Sequence, residues 1–430
     1  MGQHVLIKDL LAHAGEEVTV KGWLYNQRTS GKIKFLIVRD GTGLVQCVLN
    51  KKEHPTLFNL AEETSQESAV IVTGKVHPEH RAPGGAELHL TGLEVVSLAQ
   101  PYPISLKEHG VDFLIDRRHL WIRTPRQAAI LRIRSSVEMA CREFLHDRGF
   151  VLADAPIITP AACEGTTTLF EIDYHGDKAY LSQSGQLYNE ATAMALGRVY
   201  CFGPTFRAEK SKTRRHLMEF WMLEVEAAYF DFEDNLKLQE ELVYHLVQTV
   251  LNRHRSDLQL LGRDISKLEA VTLPFPRLSY NDAVNLLKEK GFEFNPGDDF
   301  GAPHETAISE QFTSPVFVHR FPTSIKAFYM QPDPQNPDVV LGADLLAPEG
   351  YGEIIGGGQR IDSLELIEER IKEHNLPRES FEWYLDLRRY GTVPHSGFGL
   401  GLERTLAWLC GLEHVRESIP FPRMLYRIYP

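Results

Sequence analysis

The chain has 430 residues, 43% of them hydrophobic, which suffices for at least one large core and two or three domains. No apolar run approaches the roughly 18 residues that cross a bilayer, and Met1 to Asp9 lack the basic and apolar blocks of a signal peptide, so a soluble cytoplasmic protein without a membrane partner is expected. The formal net charge of -12 weighs against nucleic acid, yet Arg207, Lys210, Lys212, Arg214, Arg215 and His216 crowd into ten residues, readable as a solvated loop or as phosphate contacts. Five cysteines without a CxxC pair suggest neither a disulfide framework nor a zinc site.

In chain order, five short strands come first: Val18 to Tyr25, Ile33 to Asp40, Gly43 to Leu49, Ala69 to Val76 and Glu87 to Val96, with glycine-rich turns between several of them. Five such strands in under a hundred residues suggest a small OB-type barrel over residues 1–100. The proline-bearing stretch from Gln100 begins a linker over 101–126. Gln127 to Arg148 is a helix by period, with Ile130, Ile133, Val137, Cys141, Phe144 and Leu145 on one stripe and Gly149 as its stop. Strands and a helix alternate from Ala179 to Phe232, and Asp234 to Arg253 is a long amphipathic helix. Residues 266–316 look like an insertion with a helix at Tyr280 to Lys290, and the tail from Leu364 carries two helices around a glycine-rich strand.

Two constellations carry chemistry. Phe206-Arg-Ala-Glu209, a basic loop and then His216-Leu-Met-Glu-Phe220 put an arginine and an acid on one strand face, with an aromatic on the returning strand. An arginine can clamp a phosphate and an aromatic face can hold a base, although an ordinary hairpin with a surface ion pair has the same pattern. In Gly397-Phe-Gly-Leu-Gly-Leu-Glu-Arg404 glycines recur at every second position, so one strand face is bare and something can approach its backbone, while Glu403 and Arg404 open a helix. The spacing is neither that of a Rossmann fingerprint nor that of a P-loop.

Together with Gly149-Phe150 to Pro156, these stretches resemble, in order, the three signature motifs of class II aminoacyl-tRNA synthetases. Leu181-Ser-Gln-Ser-Gly-Gln-Leu-Tyr188, Phe202-Gly-Pro-Thr-Phe-Arg-Ala-Glu209, Phe220-Trp-Met-Leu-Glu224, Ala347-Pro-Glu-Gly-Tyr-Gly-Glu-Ile-Ile-Gly-Gly357 and Pro394 to Arg404 are similar to the asparaginyl members of bacterial type, over essentially the whole chain. The resemblance implies an α+β architecture, an OB barrel followed by a catalytic domain at 127–430 built on an antiparallel sheet flanked by helices. It also implies an enzyme that ligates L-asparagine to tRNA(Asn) through an asparaginyl-adenylate, releasing AMP and pyrophosphate. By position, Arg207, Glu353 and Arg404 are the expected catalytic residues, with Arg207 on the ATP α-phosphate and the substrate carboxylate and Arg404 on the γ-phosphate. Glu209, His216 and Phe220 complete the ATP site, Phe220 stacking on adenine with Arg404 on the other face. Asp344 and Glu353 are the expected Mg²⁺ ligands.

For the amino acid, the resemblance points to Glu164 and Gln186 for the ammonium, and to Glu224 and Arg360 for the two ends of the side-chain amide. Aspartyl relatives carry a lysine where this chain has Asn189, so an aspartate side chain would lack its counter-charge and would meet Glu224. Arg28, Phe35 and Gln46 occupy the positions that meet the anticodon, although Phe35 in Lys34-Phe-Leu-Ile also reads as a core aromatic. The motif around Pro156 implies a homodimer; DNA is not an expected partner. Val225 stands where proline is usual and Gly358 where serine is common, both beside the side-chain pocket. The rival readings are an aspartyl enzyme, an asparagine synthetase on the same catalytic fold, and a tRNA-binding protein without catalysis.

Overall fold

The computed structural model describes residues 2–160 and 168–430, and the chain divides into two compact units, Met1–Pro125 and Arg126–Pro430. In the first unit, strands β1 (Glu17–Ser30), β2 (Ile33–Arg39) and β3 (Leu44–Asn50), helix α1 (Pro55–Glu63) and strands β4 (Ala69–Pro78) and β5 (Ala86–Ser97) follow in order. The sheet runs β1-β2-β3-β5-β4 and closes because β4 pairs back to β1, which removes the open edges. Alternation fills the interior with Val18, Val20, Leu36, Val38, Val45, Cys47, Val72 and Leu88, all fully buried. The strand pattern gave no hint of α1. Pro55 opens it with a preset backbone angle, and Phe58 and Ala61 pack onto the barrel core. The 101–126 segment contains two short helices, Val111–Ile115 and Arg118–Trp121.

The second unit begins with helix α2 (Pro125–Asp147), whose stripe of Ile130, Ile133, Val137, Cys141, Phe144 and Leu145 is buried throughout. Strand β6 (Val151–Leu152), helix α3 (Gln186–Leu196), strands β7 (Arg198–Phe206) and β8 (Glu219–Ala228) and helix α4 (Phe232–Arg253) follow. Then come β9 (Arg277–Ser279), α5 (Tyr280–Glu289), α6 (Ala302–Ser309), β10 (Val316–His319), β11 (Gly342–Ala347), β12 (Gly352–Gln359), α7 (Leu364–Glu373), α8 (Glu382–Arg389), β13 (His395–Gly401) and α9 (Leu402–Cys410). The eight strands form one sheet in the order β9-β10-β11-β12-β13-β8-β7-β6, antiparallel except for the pairs at its two edges. One face packs Leu223, Val225, Ile355 and Leu400 against α2, α4 and α9 in a continuous core. The other face carries the candidate site over its central strands and, at the β10–β11 end, packs Val316, Val318 and Leu346 into a second core.

Two expectations change. The 266–316 stretch is woven into this sheet: β9 is its edge strand, and Tyr280, Val284, Leu287 and Ile308 share a core with Val318 and Leu346. The tail holds three regular helices rather than two, α7 and α8 before the glycine strand and α9 after it; α8 spans only 8 residues, little more than two turns over which to show a period.

Candidate active site

Strand register writes the site across the middle of the sheet. Asp344 pairs with Gly356, Gly356 with Gly399, and Gly399 with Glu224, so two bare glycines separate two acids along one row of four strands. Three strand spacings place those acids about 14 Å apart, with a floor that has no side chains. Strand alternation turns Phe220, Met222 and Glu224 onto this face. At Gly399 a Cβ would lie 2.4 Å from the Met222 methyl carbon, so glycine is needed to keep the trough at its depth. The bare face at Gly397 serves another purpose than the ligand approach expected of it, because the Glu226 carboxylate fills the space there. Gly358 is explained likewise: a Cβ would sit 2.5 Å from the Leu341 carbonyl oxygen, leaving no room for the serine common at that position.

One end of the trough is lined by Arg207, Glu209, His216, Phe220, Glu353 and Arg404. The backbone N–H of Arg207 donates to the Met218 carbonyl at 3.0 Å, carrying the β7–β8 ladder one residue past its end. Its guanidinium lies 5.4 Å from the Phe220 ring centre. Arg404 donates to the Glu353 carboxylate and carbonyl, each at 3.2 Å. His216 meets the hydroxyls of Ser211 (3.2 Å) and Thr213 through Nδ1 and lies 3.7 Å from Glu209. Burial and the nearby Arg404 push its pKa down, so the ring is neutral near pH 7. The basic loop is not a row of free cations. Arg215 braces it, donating to Glu305 (3.0 Å), to Thr306 (2.5 Å) and to the Gly350 carbonyl.

The other end is lined by Ser184, Gln186, Glu224, Lys326, Tyr329, Met330, Asp344 and Arg360, and shares Arg207, Met222, Glu353 and Gly399 with the first, so the two form one trough. Glu224 accepts from the Ser184 hydroxyl and, at 2.7 Å, from the Gly185 N–H, which fixes its carboxylate. Asn189 carries no charge into the pocket; its amide donates to the Glu224 carbonyl at 3.2 Å from behind. Arg360 is held through Nε (3.1 Å) and Nη2 (3.0 Å) by Glu226, leaving Nη1 toward Met330 at 3.9 Å. Sequence reasoning missed Glu226, although Glu224-Val-Glu226 on a strand puts both acids on one face. Gln186 stands at the start of α3, and Glu164 lies outside the described residues.

The carboxylates of Asp344 on β11 and Glu353 on β12 both approach Gly356, but Asp344 accepts from Lys326 at 2.7 Å, a partner that no sequence pattern indicated. Burial, resisted by Lys326 and reinforced by Glu353, pushes the Asp344 carboxyl up to about 7. Burial would raise Glu353 too, but Arg404, Lys326 and Arg207 outweigh it and hold its pKa low. Two crowded carboxylates offer hard oxygen donors whose mutual repulsion a dication would relieve, so they fit Mg²⁺.

On the barrel, Arg28, Phe35 and Val48 form one outward cross-strand row, and Ile37 and Gln46 the next. Phe35 is not a core residue: Lys34, Leu36 and Val38 take the inward positions. Phe35 is half-buried beneath the Arg28 guanidinium, 4.4 Å from its ring centre. Gln46 donates to Glu87 at 2.5 Å, and the His77 and His89 rings meet with centres 4.0 Å apart and planes tilted by 32°.

Residues 110–425 match the family of class II tRNA synthetases (D, K and N), and residues 18–96 match the OB-fold nucleic acid binding domain. The asparagine–tRNA ligases of Desulforamulus reducens and Pelotomaculum thermopropionicum are each 73% identical over 100% of both chains. The structure of asparaginyl-tRNA synthetase from Pyrococcus horikoshii, complexed with asparaginyl-adenylate, superposes with a TM-score of 0.95 at 45% identity over 100% of both chains. With a two-acid trough in a mixed sheet, a closed OB barrel and full-length similarity on this scale, the chain belongs to the asparagine–tRNA ligases of the class II synthetase family.

Proposed function

We propose that this chain ligates L-asparagine to tRNA(Asn) in two steps at the trough. In the first, an asparagine carboxylate oxygen attacks the α-phosphorus of ATP and pyrophosphate leaves; in the second, the terminal 3′-hydroxyl of the tRNA attacks the adenylate carbonyl and AMP leaves. The observation that carries this reading is Arg207, which lines both ends of the trough where carboxylate and α-phosphate must meet. No side-chain nucleophile is required, since positioning and charge stabilisation lower the barrier. Phe220 offers a face for adenine, Arg404 a cation for the outer phosphate, and Glu209 and His216 line the same end. Mg²⁺, held by Asp344 and Glu353, would supply charge neutralisation for the phosphates.

Selection of asparagine rests on Glu224 as acceptor for the amide NH₂ and Arg360 as donor to the amide oxygen, with Gln186 and Glu164 for the ammonium. An aspartate would set a carboxylate against Glu224, and each mispaired group costs roughly 1–3 kcal/mol. Arg28, Phe35 and Gln46 read the anticodon, by stacking and by hydrogen bonds to a base edge. A homodimer is supported by Val151, Leu152, Ile157 and Ile158, exposed apolar side chains on either side of Pro156. The reaction belongs in the cytoplasm, with tRNA and ATP. ATP–pyrophosphate exchange with asparagine and aspartate side by side tests the reading: exchange with asparagine is expected, and exchange with aspartate alone would overturn it.

A further inference from the structure

Behind the amino-acid pocket lies a closed polar cluster centred on Glu190, which touches neither end of the trough. Glu190 is fully buried one turn after Gln186 on α3. Its carboxylate accepts from Gln186 Nε2 (3.1 Å), from the Tyr384 hydroxyl (2.8 Å), from Arg388 Nη2 (2.7 Å) and from His395 Nε2 (2.9 Å). The Nδ1 of His395 faces the Val393 carbonyl at 2.8 Å, so both ring nitrogens meet acceptors. Burial alone would keep the Glu190 carboxyl protonated, but Arg388 and His395 outweigh it and hold it well below the usual carboxylate range.

An ionised carboxylate only accepts, so the group that Gln186 turns toward it must be its NH₂, and the opposite end of the amide is then its oxygen. We propose that Glu190 is a positioning residue for asparagine activation: it fixes the rotation of the Gln186 carboxamide so that the oxygen faces the pocket as the acceptor for the substrate ammonium. The two rotations of a primary amide are nearly isosteric, so packing alone does not choose between them, and the wrong one would set NH₂ against NH₃⁺. Arg388, Tyr384 and His395 hold the carboxylate ionised and still. The proposal rests on the assignment of Gln186 to the ammonium.

The test is ATP–pyrophosphate exchange by the full-length chain, with succinamic acid, which is asparagine without its ammonium, as a competitive inhibitor. Glu190→Gln can present either donor or acceptor to Gln186 and so releases the rotation. It should raise the KM for asparagine about 10- to 100-fold, the range for losing a charge-assisted hydrogen bond, while the KM for ATP and the Ki of succinamic acid stay unchanged. In a Gln186→Ala background the same substitution should change the asparagine KM by no more than about twofold. Weakening of succinamic acid or ATP in parallel, or the full effect without Gln186, would show mere structural support and overturn the proposal. Gln186→Ala with an unaltered asparagine KM would instead remove the assignment on which it rests. If Glu190→Gln does not fold, Glu190→Gln with Arg388→Met, which leaves no unpaired buried charge, carries the same comparison.

Discussion

The trough and the outer face of the barrel both offer polar and aromatic side chains to a ligand, but they are built in opposite ways. In the trough, Glu224 is 5% exposed, Glu226 is fully buried and Arg360 is 2% exposed, and each is fixed by hydrogen bonds or ion pairs before any ligand arrives. On the barrel, Arg28 is exposed, Phe35 is half-buried under a single cation–π contact, and Gln46 makes a hydrogen bond to Glu87. A site that must tell a carboxamide from a carboxylate of the same shape needs groups whose orientation costs nothing further on binding. A site that receives a splayed base can rely on stacking and adjust its hydrogen bonds on contact. With the proposed roles, rigidity is concentrated where the chemical difference to be read is smallest.

Substitutions at the two regions should therefore separate cleanly. Arg207→Ala, at the junction of the trough, is expected to lower ATP–pyrophosphate exchange by roughly 10³-fold, as for loss of a donor to developing charge; a drop below about tenfold would mean that the charge develops elsewhere. Glu226→Ala leaves Arg360 buried without its counter-ion. It should raise the asparagine KM by roughly 100-fold and cost about 3–5 kcal/mol in urea unfolding, and an unchanged KM would show that Arg360 holds its place without Glu226. Phe35→Ala should reduce kcat/KM for tRNA charging about tenfold while sparing exchange, and equal loss in both assays would erase the distinction between the regions.

The smallest expected effect concerns the cations around the trough. Burial, with Arg416 and Arg214 nearby, pushes His414 down to about 4 from an ordinary 6.5, and its Nδ1 accepts from the Arg416 N–H at 3.1 Å. Between those two values the unfolded chain binds a proton that the folded chain refuses. The stability from neutral His414 is therefore full above pH 6.5 and lost as the pH falls toward 4. Discounted for partial exposure, this is about 1 kcal/mol. His414→Gln should flatten that part of the pH–stability curve, and an unaltered slope in urea titrations at pH 7 and 5 would remove His414 as its source.

Much of the fold was legible because its signals are local. The five barrel strands and the stripe of α2 follow from period and turn residues alone, and each lies within a few residues of its expected place. Helix α1 and the strand β9 were not legible, since each depends on packing against residues distant in sequence. At the site, Arg207 just past β7, Glu353 on β12 and Arg404 in the first turn of α9 come together at one end of the trough, whereas Lys326 and Glu190 lie outside the acids and arginines that the motifs single out.

The sequence by itself determined which segments are strands and helices, which faces are apolar, and which residue types could meet ATP and an amino acid, because hydrophobic period and motif chemistry are written along the chain. Only the tertiary structure decided which charges neutralise one another. Register set Asp344, Gly356, Gly399 and Glu224 in one row, and folding paired Glu226 with Arg360 and Lys326 with Asp344. Electrostatic energy depends on distance through space and on burial, and neither quantity is carried by separation in sequence.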